Sequence, residues 1–478
     1  MSTPAGEQRS PHESDPNHRY DLVILGAGSG GYSAALRASQ LRLDVAIVEA
    51  DKLGGTCLHR GCIPTKAWLH AAEVADHARE GHAMGLSTTF DGVDAAKLGQ
   101  WSQGIIDRLH QGLSGLVAKA AIARVQGRGR LVSDAAGLGV AVDDQVIRGR
   151  NVLVATGARS KTLGLGIDGV RSITSDHALA LQELPRTALV IGGGVIGVEL
   201  ASVWRSFGVE VTIVEALDRL LPAEDPDISQ ALLRAFTKRG ISTRFGVKVT
   251  NLTTTPDQAS LTLDGGETLT ADVVLVAVGR EPATTDLGLA EAGVSVERGH
   301  IRVSDRLMTS VRGVFAVGDV VAGPQLAHRG FAHGIYVAEV IAHQLGKTSA
   351  SPTRPLDRDL PRVTYSSPEV ASVGLTRAAA ARMGEVSHVD YPLGGNGRSL
   401  IKGATGFVRV VRMVDGPIVG VHMIGDGVSE LINEAQLIAG WEAVPDDVAE
   451  LVHAHPTQGE ALGEAAMALA GRPLHLHN

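Results

Sequence analysis

One pattern occurs twice in this chain and limits what the chain can fold into. Asp21-Leu-Val-Ile-Leu-Gly26-Ala-Gly28-Ser-Gly-Gly31 is matched by Ala188-Leu-Val-Ile-Gly192-Gly-Gly194-Val-Ile-Gly197. Each begins as a short apolar run suited to a buried parallel strand. Each then passes through G-x-G-x-x-G into a helical stretch and on to a second strand, Val45-Ala-Ile-Val48 or Val211-Thr-Ile-Val214. A glutamate ends each second strand, and Glu49 and Glu215 both stand 23 residues after the first glycine of their unit. Two βαβ units on one plan predict an α/β chain with two Rossmann-like domains.

The remaining punctuation divides the chain further. Asn151-Val-Leu-Val-Ala-Thr156-Gly157, Val273-Val-Leu-Val-Ala-Val278-Gly279-Arg280 and Gly313-Val-Phe-Ala-Val-Gly318-Asp319 each read as a strand ending in a turn. From about Pro361 the character changes. Phe407 to Val414 and Ile418 to Ile424 flank Asp415-Gly416 as a hairpin, and helical stretches follow at Val428 to Trp441 and Glu460 to Ala470. The expected layout is a disordered tail over 1–19, a first dinucleotide-binding part over 20–158 and a second dinucleotide domain over 159–282. A central segment over 283–356 completes the first site, and a C-terminal α+β interface domain covers 357–478.

Composition narrows the function. With 44 basic and 52 acidic side chains the net charge is −8, which argues against a sequence-independent grip on nucleic acid or on an anionic membrane surface. No apolar run approaches the roughly 18 residues of a membrane span. Two cysteines among 478 residues cannot make a secreted disulfide scaffold. The segment through Arg19, with Pro4, Pro11 and Pro16, lacks a signal peptide's apolar core. These observations predict a soluble, cytoplasmic protein whose partners are small molecules or other proteins.

The glycines of each turn let the backbone approach a pyrophosphate at a helix N-terminus, and the glutamate can accept from ribose hydroxyls. Gly26, Gly28, Gly31 and Glu49 form one candidate set, and Gly192, Gly194, Gly197 and Glu215 the other. Glu215 would repel a 2′-phosphate, which favours NAD over NADP, although Arg219 lies nearby. The first unit runs on into Gly54-Gly55-Thr56-Cys57-Leu-His-Arg-Gly-Cys62-Ile-Pro64-Thr-Lys66. The spacing of the cysteines lacks the partners of a zinc site, and no metal is expected. Two buried cysteines acting as small hydrophobes are the plainer alternative to a redox dithiol. A helix from Cys62 through His70 to Ala78 would favour the Cys62 thiolate, which supports the dithiol. His475 and His477 read as a mobile end.

From Tyr20 to the C-terminus the chain resembles the flavin-dependent pyridine nucleotide-disulfide oxidoreductases. The resemblance rests on the dithiol segment, Ala155-Thr156-Gly157, the second glycine turn with Glu199, Val278-Gly279-Arg280, Val317-Gly318-Asp319 and His453-Ala-His455-Pro-Thr-Gln-Gly-Glu460. It implies FAD in the first unit, with Thr56, Lys66, Gly127, Thr156, Gly157, Gly318, Asp319 and Ala327 joining the first glycine set. It implies NAD in the second, with Val278 and Gly279 added. Lys66 would approach the flavin and pair with Glu199. Cys62 would be the thiol beside the flavin and Cys57 the one that exchanges with substrate. His455 with Glu460 would act as a base reaching the dithiol across a homodimer.

The branch resembled most oxidises dihydrolipoamide, free or on a lipoyl domain of an acyltransferase, with NAD⁺ in 2-oxoacid dehydrogenase complexes. No lipoyl domain of its own is expected ahead of the first unit. Reduction of glutathione or mycothiol disulfide is the alternative, and a non-catalytic scaffold flavoprotein a remote one. Many members carry uncharged residues where this chain has Leu58-His59-Arg60, so charge is expected near the substrate entrance.

Overall fold

The computed structural model describes residues 18–476. Most of the segment expected to be a disordered tail therefore lies outside the described residues. Its last residue does not belong to a tail, because Arg19 opens the first strand, Arg19–Leu25.

The described chain forms two compact units. One is drawn from the segment ending at Pro64, Trp101–Arg159 and Arg280–Asp357, and the other from Thr65–Gln100, Ser160–Gly279 and the segment beginning at Arg358. In the first unit, Arg19–Leu25 lies between Val45–Glu49 and Gln145–Val154 in a parallel sheet. Ala123–Gln126 and Val314–Ala316 add parallel strands, and Gly129–Asp134 and Gly137–Val142 extend the sheet antiparallel. Leu22, Val23, Ile24 and Val152 to Val154 are fully buried, as a strand covered on both faces requires. The helix Ser29–Gln40 packs on Ala327–Gln344. Gly334 makes that approach possible, since a Cβ there would sit 2.2 Å from the Gly30 carbonyl oxygen.

The second unit repeats the plan. Ser242–Phe245, Glu210–Glu215, Thr187–Ile191, Val273–Val276 and Ser172–Ile173 lie side by side in that order, all parallel. A separate five-stranded antiparallel sheet contains Arg362–Thr364, Glu369–Gly374, Ile418–Gly425, Phe407–Met413 and Val386–Pro392. The expected hairpin is its central pair, with Asp415 at φ 55 in the turn. The helices Val428–Gly440 and Glu460–Leu469 cover one face of this sheet, around Val421, Met423, Ala435 and Leu462.

A polar row crosses that antiparallel sheet. Arg362, Ser372, His422, Arg409 and Asp390 occupy successive register positions on its five strands. Arg409 grips Asp390 with two bonds of 2.7 Å and reaches Asp225 Oδ1 at 2.8 Å. Asp225 caps the helix Pro226–Lys238, so the row anchors the end of a nucleotide-domain helix to the C-terminal sheet.

Candidate active site

The two glycine turns are built alike down to single atoms. Gly26 and Gly192 have φ of +99° and +109°, and a Cβ on either would lie 2.5 or 2.4 Å from the carbonyl oxygen of Ala155 or Ala277. A Cβ on Gly31 would come to 1.8 Å from the Gly26 carbonyl, and one on Gly197 to 2.0 Å from that of Gly192. Only glycine fits these four places. The glutamates obey the same rule. Glu49 accepts from the Ala27 and Asp51 backbone N–H at 2.6 and 2.8 Å, and Glu215 from those of Gly193 and Leu217 at 2.6 and 2.8 Å. Each carboxylate is thus fixed beside the backbone that turns into the helix.

In the first unit a cavity of about 210 Å³ lies beside Glu49, lined by Ile47, Leu53, Arg124, Val125 and Gln126. Gly127 follows directly, and its N–H donates to the Glu49 carbonyl at 2.9 Å. Thr156 Oγ1 donates to the Ala283 carbonyl at 2.7 Å, and Ala283 N–H returns a bond to Gly157. Gly318 and Asp319 form a short turn, and Ala327 begins the long helix. Burial pushes Asp319 above the ordinary carboxylate range, against the pull of Arg280, Arg329 and His300. An open strip of backbone, an oriented carboxylate and a cavity at the strand ends together fit a dinucleotide.

Cys57 stands in the short helix Gly55–His59 and Cys62 is the first residue of Cys62–Glu80; both are partly buried. At Gly61, the residue before Cys62, a Cβ would meet Cys57 Cα at 3.3 Å, so the chain folds back on Cys57 there. The whole segment is seated on the first glycine turn, where a Cβ on Gly55 would be 2.7 Å from Gly28 Cα. Both charged residues between the cysteines have partners of their own. Arg60 pairs with Asp51 at 2.8 Å, and His59 Nε2 bonds the Leu53 carbonyl at 2.8 Å against the His110 ring.

In the second unit Lys66 is not a solvated surface charge. Its Nζ lies 3.0 Å from both oxygens of Glu199, which is 3 % exposed and also accepts from Tyr365 N–H at 2.9 Å. The Tyr365 ring lies under the ammonium at 4.7 Å. Val278 and Gly279 follow the strand Val273–Val276 at the open end of the parallel sheet, and nothing stands within 4 Å of a Cβ placed on Gly279 or Gly194. Arg219 bonds Asp218 and the Pro222 carbonyl, at 3.2 and 3.1 Å.

His455 Nδ1 lies 2.9 Å from Glu460 Oε1, while Thr457 N–H donates to Glu460 Oε2 at 2.9 Å. Those bonds, the Thr457 one first, hold Glu460 below its ordinary range. The His455 side chain is 79 % exposed, so the carboxylate orients a ring whose other nitrogen is available. Sequence reading overlooked a second pair beside it. His453 Nε2 lies 2.7 Å from Glu434 Oε1. His453 stands in the motif that carries the resemblance, but nothing in the helix Val428–Gly440 marked Glu434. His475 does not form a mobile end, since its Nδ1 is 2.7 Å from Glu464 Oε1 and its N–H donates to Glu464 Oε2. His477 lies outside the described residues. Among those residues no three or more His, Cys, Asp or Glu side chains cluster as a metal site, and no helix is long and apolar enough to cross a membrane.

Residues 20–334 match the family described as pyridine nucleotide-disulphide oxidoreductase, and residues 360–466 its dimerisation domain. The chain belongs to the pyridine nucleotide-disulphide oxidoreductases, with two Rossmann-like domains and a C-terminal α+β dimerisation domain. It is 40 % identical over 476 residues to the dihydrolipoyl dehydrogenase of Bacillus subtilis, covering 95 % of this chain and 99 % of that one. It is 38 % identical over 482 residues to the mitochondrial dihydrolipoyl dehydrogenase of Pisum sativum, covering 97 % and 93 %. Among solved structures, LpdA of Mycobacterium tuberculosis superposes with a TM-score of 0.86 at 25 % identity, covering 94 % of this chain and 99 % of that one.

Proposed function

We propose that this chain is a homodimeric, cytoplasmic dihydrolipoamide dehydrogenase that oxidises dihydrolipoamide with NAD⁺ through FAD and a Cys57–Cys62 disulfide. The observation that carries the reading is the seating of the dithiol segment on the first of two like glycine turns, with Gly55 packed on Gly28. The names of the long, near-complete relatives support the same substrate.

The first turn, Glu49, Thr56, Gly127, Thr156, Gly157, Gly318, Asp319 and Ala327 would hold FAD, and Lys66, fixed by Glu199, would approach it. Gly192, Gly194, Gly197, Glu215, Val278 and Gly279 would hold NAD. Bound FAD supplies two-electron exchange between the dithiol and the nicotinamide, a chemistry no side chain provides. His455, oriented by Glu460, accepts a proton from one substrate thiol. The resulting thiolate attacks Cys57, the Cys57–Cys62 bond breaks, and a mixed disulfide forms between substrate and Cys57. The second substrate thiol then attacks that disulfide, its proton passing to the Cys57 sulfur as that sulfur leaves, which releases oxidised lipoamide and leaves a Cys57 thiol and a Cys62 thiolate. The homodimer lets His455 serve the partner's dithiol. The wider partner is a 2-oxoacid dehydrogenase complex whose acyltransferase carries the lipoyl group.

Reduction of glutathione or mycothiol disulfide with NADPH is less well supported. Glu215 is fixed in the second turn by two backbone donors, and Arg219 is held by Asp218 and Pro222. The test is a rate comparison on purified protein, dihydrolipoamide with NAD⁺ against glutathione or mycothiol disulfide with NADPH. NAD⁺ reduction confined to the first pair supports the reading; turnover only in the second refutes it. Cys57→Ser should lower the first rate by at least ~10³-fold with flavin still bound.

A further inference from the structure

Two imidazoles in the same turn each face a carboxylate from a different helix. His455 has Glu460 of Glu460–Leu469, and His453 has Glu434 of Val428–Gly440. Their exposures differ sharply: the His455 side chain is 79 % exposed and that of His453 is 15 %. A ring so enclosed cannot meet substrate, yet it is wedged into the support of the ring that can. A Cβ on Gly463 would lie 2.6 Å from His453 Nδ1, so the helix that presents Glu460 also packs on His453. A Cβ on Gly459, the residue before Glu460, would have both Glu434 Oε2 and His453 Cδ2 within 4 Å.

We infer that Glu434 and His453 are positioning residues of the proton relay, a half-buried ion pair that acts through Glu460 on His455. The inference rests on the reading of His455 as the substrate base. The groups facing the His453 ring are Glu434 from one helix, Glu460 from the other and the Leu451 carbonyl from its own segment. The bond to Glu434 dominates and pushes His453 above the ordinary histidine value, and His453 in turn helps hold Glu460 below its own. Glu460 is the group the two imidazoles share: His455 Nδ1 bonds it at 2.9 Å, and His453 adds to what keeps its carboxyl deprotonated, so the carboxylate that orients the base stays ionised to lower pH. Glu434 supplies the counter-charge that the half-buried imidazole bonds at 2.7 Å.

The test uses the intact flavoprotein dimer and the pH profile of kcat/KM for dihydrolipoamide. His453→Gln should move the acidic limb of the profile to higher pH and lower the rate at pH 6.5 by roughly tenfold, while KM for NAD⁺ changes by less than about twofold. Glu434→Gln should move the same limb, and the double variant should be no worse than the poorer single one. If His453→Gln loses flavin or fails to dimerise, Glu434→Gln alone carries the test. An unshifted limb in a folded variant, or losses that add in the double variant, overturns the inference. A wild-type enzyme with no dihydrolipoamide activity overturns the underlying reading instead.

Discussion

The two glycine turns share backbone, clashes and glutamate bonds, and differ in what covers them. At the first, the Cβ position of Gly28 points at Gly55 Cα, 4.0 Å away, because the dithiol segment lies over the turn. At the second, nothing stands within 4 Å of a Cβ placed on Gly194. The same local chemistry therefore serves two purposes. On the proposed reading, a covered turn holds a cofactor that stays for the life of the enzyme, and an open one receives a cosubstrate that must leave at every turnover. Affinity for the dinucleotide comes from the shared parts, and residence time from the cover.

The largest effect should come from breaking what the turns share. Gly31→Ala forces a Cβ to 1.8 Å from a backbone carbonyl, and no side chain can yield there. Purified Gly31→Ala should contain no stoichiometric flavin by absorbance. Gly194→Ala, by contrast, meets only open space in the protein. It should fold with full flavin content and raise KM for NAD⁺ by roughly tenfold by crowding the pyrophosphate. Equal flavin loss in both variants would erase the distinction between the turns.

A smaller effect separates the two glutamates. Glu215→Ala removes the ribose acceptor and should raise KM for NAD⁺ by about five- to tenfold, the value of one to two hydrogen bonds, with flavin content unchanged. Glu49→Ala should do the reverse, weakening flavin retention in dilute solution while KM for NAD⁺ holds. An unchanged KM in Glu215→Ala means the nicotinamide nucleotide binds elsewhere.

The smallest effect appears only in acid. His333 lies on the helix packed against Gly30, is 1 % exposed, and is pushed down to about 4 by burial, with the Arg329 charge adding to the shift. A folded value below the unfolded one near 6.5 means the unfolded chain binds the extra proton first. Its contribution is thus fully present above about pH 6.5 and fades as pH falls toward 4, by up to roughly 3 kcal/mol. Flavin release on heating, followed by fluorescence, should shift to lower temperature across that window. His333→Leu should flatten the dependence. His422, fully buried in the C-terminal sheet, is pushed down by burial in the same way, so that sheet should share the acid sensitivity.

The parallel strands, both turns and the C-terminal hairpin were legible because each is written locally, in apolar runs and in glycines whose φ no other residue tolerates. So was the His455–Glu460 pair, five residues apart. Long-range pairing was not. Lys66 and Glu199 meet across 133 positions, a pairing that no local spacing marks and that only the family resemblance supplied. Arg409 is a buried guanidinium in the strand Phe407–Met413, and the arrival of Asp225, Asp227 and Asp390 explains it. The partners of His59 and Arg60, the Leu53 carbonyl and Asp51, were likewise not marked by any spacing. Glu434 had no spacing to betray it.

The central claim, a retained flavin in the covered turn and an exchanging nucleotide in the open one, is tested most directly by gel filtration after incubation with excess NAD⁺. The account predicts one flavin per chain still bound and all NAD⁺ in the later fractions. A chain that emerges with NAD⁺ attached and its flavin released contradicts it.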